Sequence, residues 1–173
     1  MTEKLTTTDK TRLIPLTQNQ FAIVDAEDYD KLMEFKWYAR YDTHTKSFYA
    51  RLTDYSGEKQ KTILMHRLII NTPECMNTDH ANHDTLDNRK HNLRVCTKSQ
   101  NMMNRRKQSN NLSGVTGVYL GKNNKKWRAS IMVNRKNKHL GYFYNIKEAI
   151  NCRKQAELKY FGEFAYNSEG GNQ

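Results

Sequence analysis

The residues with the clearest chemical potential lie in one polar run, residues 79–101, with the sequence DHANHDTLDNRKHNLRVCTKSQN. Asp79 offers the hard carboxylate oxygen that Mg²⁺ or Mn²⁺ prefers, and its neighbour His80 can accept a proton from water. Adjacent residues on a strand point to opposite faces, so this pair can serve an ion and a water separately. The pair therefore predicts metal-assisted hydrolysis.

Two carboxamides in the same run extend this set. Asn92 follows a stretch rich in turn-forming residues, so a returning strand would bring its amide beside His80, where it could orient the imidazole. Asn101 falls just after a helix start at Thr97 or Ser99 and would add a second oxygen ligand to that of Asp79. Positioning these groups requires a strand, a loop, a second strand and a helix.

Four segments of the chain resemble the HNH nucleases, which have a ββα-metal fold, and in particular their phage and intron homing branch. These segments match the family in order and spacing: MHRLI at 65–69, DH at 79–80, LDNRKHNLRV at 86–95 and SQNMMNRR at 99–106. The resemblance implies that His80 is the general base, that Asn92 orients it, and that Asp79 and Asn101 hold one divalent ion. Many members have His where this chain has Asn101, and because a carboxamide is a poorer zinc ligand than imidazole, Mg²⁺ or Mn²⁺ is favoured.

Two other histidines need separate interpretations. Related sequences usually carry Gly in the hairpin loop where this chain has His83, so this residue must tolerate a positive φ or reshape the turn. His83 is interpreted as a loop residue, with a phosphate contact as the alternative. His66 has Met65, Leu68 and Ile69 at the spacing of a buried helix face, which favours a structural role over a ligand role.

Composition indicates a folded protein without a membrane segment. Of the 173 residues 36% are hydrophobic, and no apolar stretch approaches the roughly 20 residues that cross a bilayer. The N-terminus lacks the apolar block of a signal peptide, so we expect a cytoplasmic protein, phage-encoded in a bacterial host. Cys75, Cys96 and Cys152 are widely spaced, which indicates neither a disulfide framework nor a structural zinc site.

Positive charge is concentrated in the second part of the chain. Residues 1–100 hold 15 Lys or Arg against 14 Asp or Glu, whereas residues 101–173 hold 14 against 4. A basic segment without a compensating acidic face is typical of proteins that bind a polyanion, and DNA fits the neighbouring motif. The alternative is a basic domain whose charge only keeps it in solution.

Hydrophobic patterning predicts an α+β fold. The first ten or so residues are expected to be loose, with structure starting near Gln20. A β-rich N-terminal region then leads into the ββα-metal unit, through a strand at 21–25, an amphipathic helix, and strands at 37–41, 47–53 and 61–65. The expected domains are a nuclease domain at 1–104, a basic linker at 105–113 and a second domain at 114–173.

The second domain is predicted to be a small three-stranded antiparallel sheet with a helix. Strands are expected at 117–121, 126–133 and 138–144, and a helix ending at Gly162. Alternation places Trp127, Ala129, Ile131 and Val133 on the helix side of the middle strand.

This pattern resembles the AP2 domain, which places its sheet in the DNA major groove and occurs fused to HNH homing nucleases; the match covers residues 112–167. Several arginines that plant AP2 factors use for base contacts are absent. The resemblance and the alternation together predict contacts from the sheet face, its rim and the linker. The predicted DNA-binding residues are Tyr119, Arg128, Ser130, Met132 and His139 on the face, Lys122, Lys125, Lys126, Arg135 and Lys138 on the rim, and Arg105, Arg106 and Lys107 in the linker.

The leading hypothesis is a metal-dependent homing-type endonuclease that cuts or nicks double-stranded DNA. No membrane or small-molecule substrate is expected, and because no apolar seam predicts a dimer, a monomer that nicks one strand is favoured. Two alternatives remain: a non-catalytic AP2-like regulator, and an HNH nuclease that cuts any DNA.

Overall fold

A computed structural model of the chain describes residues 10–104, 111–121 and 125–166. It confirms the α+β class, with small antiparallel sheets and few helices. The described residues form two compact units that divide after Lys98. Four predicted DNA-binding residues, Arg105, Arg106, Lys107 and Lys122, lie outside the described residues.

The first unit opens with a β-hairpin made of β1 (Thr11–Pro15) and β2 (Phe21–Asp25). The expectation that structure starts near Gln20 is therefore wrong. Strand β1 is short and ends in proline, so its own sequence is a weak signal, but antiparallel pairing along all of β2 satisfies its backbone. Ile14 of β1 is buried in the core with Ala22 and Val24 of β2.

Helix α1 (Ala26–Met33) follows, then a three-stranded antiparallel sheet made of β3 (Tyr38–Asp42), β4 (Ser47–Asp54) and β5 (Lys61–Leu64). Trp37 packs into the core, and its indole Nε1 donates a 2.7 Å hydrogen bond to the carbonyl oxygen of Leu32. The short helix α2 (Met65–Ile69) begins directly after β5 and buries Met65 and His66.

The polar motif itself forms a hairpin of β6 (Asn77–His80) and β7 (Leu93–Cys96). Its register places Asp79 opposite Arg94 and His80 opposite Leu93. A 3₁₀ turn (Lys90–Asn92) leads into β7, and helix α3 (Lys98–Met103) follows. The order of elements is thus strand, loop, strand and helix, as predicted.

The second unit contains a three-stranded antiparallel sheet with β9 (Trp127–Val133) between β8 (Val118–Leu120) and β10 (Lys136–Phe143). Helix α4 (Ile146–Phe161) packs on this sheet and ends at Gly162, as predicted. Ala129 and Ile131 of β9 are buried on the helix side, which confirms the predicted alternation. Within the described residues, no helix is both long and apolar enough to cross a membrane.

Candidate active site

His80 ends strand β6 and is buried, with 6% of the residue exposed. Its Nε2 lies 3.3 Å from Oδ1 of Asn88. The ring also stands edge-on to His66, with 4.9 Å between ring centroids, and to Tyr49 at 6.3 Å. Burial lowers the pKa of His80, while the Asn88 hydrogen bond opposes that shift. The imidazole is therefore held neutral, which is the form that accepts a proton.

His66 is the second imidazole of this cluster. It lies on α2, where it is buried as the sequence predicted. Burial, and after it the electrostatic effects of His80, Arg67 and Arg51, lower its pKa to about 3. His66 therefore stays uncharged at neutral pH, and its ring packs edge-on against that of His80.

Asp79 precedes His80 on β6 and is also buried. Its carboxylate forms an ion pair with the guanidinium of Arg94, which lies directly opposite on β7. Cys96 follows on the same strand, where burial and then the charge of Asp79 raise the pKa of its thiol. The carboxylate of Asp79 is thus buried and has the cationic side chain of Arg94 beside it.

The chemistry of Asp79 suits a hard divalent ion. Its carboxylate oxygen is the kind of ligand that Mg²⁺ and Mn²⁺ prefer, and Mg²⁺ often takes one or two carboxylates and completes its shell with water and phosphate oxygens. Residues 10–104, 111–121 and 125–166 contain no group of three or more His, Cys, Asp or Glu side chains arranged to hold a metal.

Asn92 closes the loop between β6 and β7. Its Oδ1 accepts a 2.9 Å hydrogen bond from the backbone N–H of Asn82, and its Nδ2 donates a 2.8 Å bond to the carbonyl oxygen of Asp87. The sequence predicted that this carboxamide would meet the imidazole of His80. Because Asn92 ends the 3₁₀ turn, its side chain instead contacts backbone groups inside the loop.

His83 lies in this loop with φ of 64°, so of the two possibilities that the sequence left open, a positive φ or a reshaped turn, it adopts the positive φ. Its backbone N–H donates a 3.0 Å hydrogen bond to the carbonyl oxygen of His80. The left-handed residue therefore turns the chain directly after strand β6.

The middle of the loop is attached to strand β2. The backbone N–H of Ile23 donates to the carbonyl oxygen of Leu86 at 2.9 Å, and the backbone N–H of Asn88 donates to that of Ile23 at 2.8 Å. Between these residues, Asp87 accepts hydrogen bonds of 2.7 Å from both Nε and NH2 of Arg89. Such attachments give the loop a defined path.

Asn88 is the site residue that the sequence did not identify. It is 1% exposed, and besides His80 it contacts Leu86 and Met65 through its amide nitrogen. A buried carboxamide needs partners, but nothing in the sequence indicates that one of them is His80. The available signal was a second asparagine in a loop already rich in turn residues.

Asn101 lies on α3, in the part of that helix that belongs to the second unit. Asp79, His80 and Asn92 belong to the first unit. The convergence of Asn101 with Asp79 on one ion therefore stays a prediction.

The sheet of the second unit has one face covered by α4 and an opposite face rich in aromatic and basic groups. Tyr119 is exposed, and the guanidinium of Arg128 lies 5.5 Å from its ring centroid. Met132 is 63% exposed. Ser130 was also predicted to contact DNA from this face. It is only 6% exposed, however, because it lies between larger neighbours on the central strand.

The remaining predicted contact residues of this unit are exposed, namely Lys125, Lys126, Arg135, Lys138 and His139. Two of these cations already lie over aromatic rings, Lys126 over Tyr144 at 4.5 Å and Lys138 over Tyr160 at 4.6 Å. Such pairs hold the ammonium groups at the edge of the sheet.

Comparison with known proteins gives one consistent family. A sequence profile described as HNH endonuclease matches residues 71–103, which span the β6–β7 hairpin and α3. An uncharacterized HNH endonuclease, L560, of Acanthamoeba polyphaga mimivirus is 30% identical over 153 residues, covering 84% of this chain and 73% of that protein. No solved structure matches the chain.

Proposed function

The chain belongs to the HNH endonuclease family, and on that premise we propose that it is a divalent-metal-dependent endonuclease acting on double-stranded DNA. The observation that carries the proposal is the placement of Asp79 and His80 side by side at the end of β6. An oxygen ligand and an imidazole base on opposite faces of one strand are the groups that metal-assisted phosphodiester hydrolysis requires.

In the proposed reaction, His80 accepts a proton from a water molecule while the oxygen of that water forms a bond to the scissile phosphorus. The bond from phosphorus to the 3′ oxygen of the preceding nucleotide breaks, and that oxygen takes up a proton from solvent. The products are a 5′ phosphate and a 3′ hydroxyl. A buried imidazole held by Asn88 suits the task because its orientation is defined before substrate binds.

The proposed cofactor is one Mg²⁺ or Mn²⁺ ion at the carboxylate of Asp79, where its charge would stabilise the phosphate and the leaving oxygen in the transition state. Asn101 as its second ligand stays the prediction drawn from the family resemblance. Arg94 neutralises Asp79 across the hairpin. Its guanidinium also suits a phosphate oxygen, which would be a second partner for it once Asp79 is shared with a cation.

The second unit is proposed to bind the duplex. Its exposed sheet face presents aromatic and basic side chains, and residues 101–173 carry 14 basic against 4 acidic residues. In the AP2-like mode, this face would enter the major groove while rim residues such as Lys126, Arg135 and Lys138 contact phosphates. A separate binding unit favours site-directed cutting of the homing type, and a monomer with one site would nick one strand.

The decisive experiment is the variant His80→Ala, tested on supercoiled plasmid with Mg²⁺ or Mn²⁺. Removing the base should slow strand cleavage by roughly 10² to 10⁴ fold and leave DNA affinity nearly unchanged. His91→Ala is the control, because His91 is exposed beside Asn92. Wild-type nicking by His80→Ala would contradict the proposal.

Mapping the breaks on long DNA separates the alternatives. Cleavage at one or a few positions supports the homing type, whereas a smear supports a nuclease without site preference. Binding without cleavage by the wild-type protein in both ions would support the non-catalytic regulator.

A further inference from the structure

The side chain of Asn88 is fixed by three contacts in the interior of the first unit. Its Nδ2 lies 3.3 Å from the carbonyl oxygen of Leu86 and 3.6 Å from the sulfur of Met65, both of which can only accept hydrogen bonds. The amide nitrogen must therefore face them. This leaves Oδ1 directed at Nε2 of His80, at 3.3 Å.

That orientation determines where the imidazole carries its proton. A carboxamide oxygen accepts and cannot donate, so Nε2 of His80 must be the N–H donor of the pair. A neutral imidazole has a single N–H, and the other nitrogen, Nδ1, then carries the basic lone pair. The contact with Asn88 thus selects one of the two neutral tautomers.

The backbone of Asn88 is held as firmly as its side chain. Its N–H donates a 2.8 Å hydrogen bond to the carbonyl oxygen of Ile23, and the N–H of Ile23 donates to Leu86 two residues before Asn88. The carboxamide of Asn92 has other partners, the N–H of Asn82 and the carbonyl oxygen of Asp87. The two asparagines of the motif therefore have different partners.

We propose that Asn88 is a positioning residue that holds His80 in the Nε2-protonated tautomer, so that Nδ1 is the nitrogen that accepts the proton of the attacking water. This inference rests on the proposed function of His80 as general base. Asn88 itself acts only through the imidazole.

The first test is kinetic. Asn88→Leu keeps a side chain branched at Cγ but removes the acceptor, so the rate of plasmid nicking at saturating DNA should fall roughly 10 to 100 fold. The DNA concentration for half-maximal rate should stay within about twofold of wild type, because Asn88 is only 1% exposed and has almost no surface with which to contact DNA. Asn88→Asp restores an acceptor oxygen at the same place and should recover most of the rate.

A matched control accounts for the loss of a hydrogen bond near β6. Thr72→Val removes the 2.6 Å hydrogen bond between the hydroxyls of Thr72 and Thr78. That bond involves neither His80 nor Asn88. Its nicking rate should equal that of wild type. A rate loss in Thr72→Val as large as in Asn88→Leu would overturn the positioning role, since both would then act through stability.

The second test reads the tautomer directly and needs no activity. In protein labelled with ¹⁵N histidine, the two ring nitrogens of His80, assigned by comparison with His80→Ala, should show the Nε2-protonated pattern at neutral pH. Asn88→Leu should shift this pattern toward a mixture. A wild-type His80 protonated on Nδ1 would overturn the inference, even if Asn88→Asp failed to fold.

A double variant separates this inference from the proposed function. If His80→Ala nicks at the wild-type rate, the proposed function itself fails. If His80→Ala is slow but Asn88→Leu is as fast as wild type, only the positioning role is overturned. The double variant with His80→Ala and Asn88→Leu should nick as fast as His80→Ala alone. A further loss of nicking rate would mean that Asn88 acts on something other than the imidazole.

Discussion

Two buried imidazoles, those of His66 and His80, stand edge-on at 4.9 Å in the centre of the candidate site. Each would be costly to charge, because burial removes water from the ring and a second cation would repel the first. The sequence interpretation of His66 as structural agrees with its burial. What the structure adds is that it packs against the candidate base.

Acid should destabilise the protein through His66. Its pKa is lowered from 6.5 to about 3, so below pH 6.5 the unfolded chain binds a proton that the folded chain does not. The contribution of uncharged His66 to the free energy of unfolding is therefore fully present above pH 6.5. It falls by up to about 1.4 kcal/mol per pH unit as the pH drops toward 3. Urea unfolding at a series of pH values measures this slope.

The variant His66→Phe keeps an aromatic ring in contact with His80 but cannot titrate. Its stability should depend less steeply on pH in the same window, with about one proton fewer taken up on unfolding. Tyr49 and the cations Arg67 and Arg51 near this cluster are unchanged in the variant. Equal slopes for the two proteins would show that His66 titrates normally.

Arg94 should oppose the binding of an ion at Asp79. Its guanidinium pairs with that carboxylate, so a cation must approach against a positive charge. Arg94→Gln should tighten Mn²⁺ binding to the DNA-free protein roughly threefold to tenfold, as measured by the electron paramagnetic resonance signal of free Mn²⁺.

Arg40→Gln provides the control for that measurement, since Arg40 is an exposed cation on β3. It removes the same charge from the chain, but from a different sheet than the β6–β7 hairpin that carries Asp79. Equal Mn²⁺ affinities for all three proteins would argue against an ion site at this carboxylate.

Among the elements, the N-terminal hairpin and sheet hold the loop between β6 and β7. Strand β2 exchanges backbone hydrogen bonds with the loop on both sides of Asp87, and β4 accepts a 2.5 Å bond at the carbonyl oxygen of Phe48 from the hydroxyl of Thr85. The β-rich region before the motif is thus the scaffold that defines the path from His80 to Asn92. It explains how a loop of polar residues can present a fixed carboxamide to the base.

Asn92 should matter for the loop rather than for the tautomer of His80. Asn92→Leu removes the partners of the Asn82 N–H and the Asp87 carbonyl, so the free energy of unfolding should fall by about 1 to 3 kcal/mol. Urea unfolding measures this loss, and ¹⁵N spectra should still show His80 protonated on Nε2. A changed tautomer with normal stability would instead support the role predicted for Asn92 from the sequence.

At the scale of the whole molecule, the net positive charge and the candidate catalytic residues lie in different parts of the chain. The net charge of +11 lies almost entirely in residues 101–173, whereas Asp79 and His80 belong to the nearly neutral first unit. Affinity for a polyanion that rests on lysine and arginine comes mainly from release of counterions. Residues 101–173 therefore carry most of the charge with which the protein would bind a polyanion.

Salt dependence tests this division. If Lys126 contacts a phosphate as proposed, Lys126→Ala should reduce the slope of log Kd against log salt by roughly one unit, whatever the DNA sequence. Lys31→Ala is the control, since Lys31 is exposed on α1 in the first unit and should leave the slope unchanged. Fluorescence anisotropy with labelled duplex at several salt concentrations gives both slopes, and equal slopes would remove Lys126 from the interface.

Sequence alone determined most of the elements and the chemistry of the motif. Alternating and helical periodicity predicted β2, α1, the middle sheet and the whole second unit, because burial of one face produces those patterns directly. The Asp79 and His80 pair was also predicted, since its chemistry depends on neighbours within one strand.

Only the tertiary structure decided the partners. Strand β1 exists because β2 pairs with it, and Asn88 rather than Asn92 meets the imidazole because β2 sets the path of the loop. Such contacts join residues far apart in sequence, and the hydrogen bonds of a buried carboxamide follow from the atoms around it rather than from its spacing along the chain. These partners could not be predicted because they depend on long-range backbone pairing, which no local sequence pattern indicates.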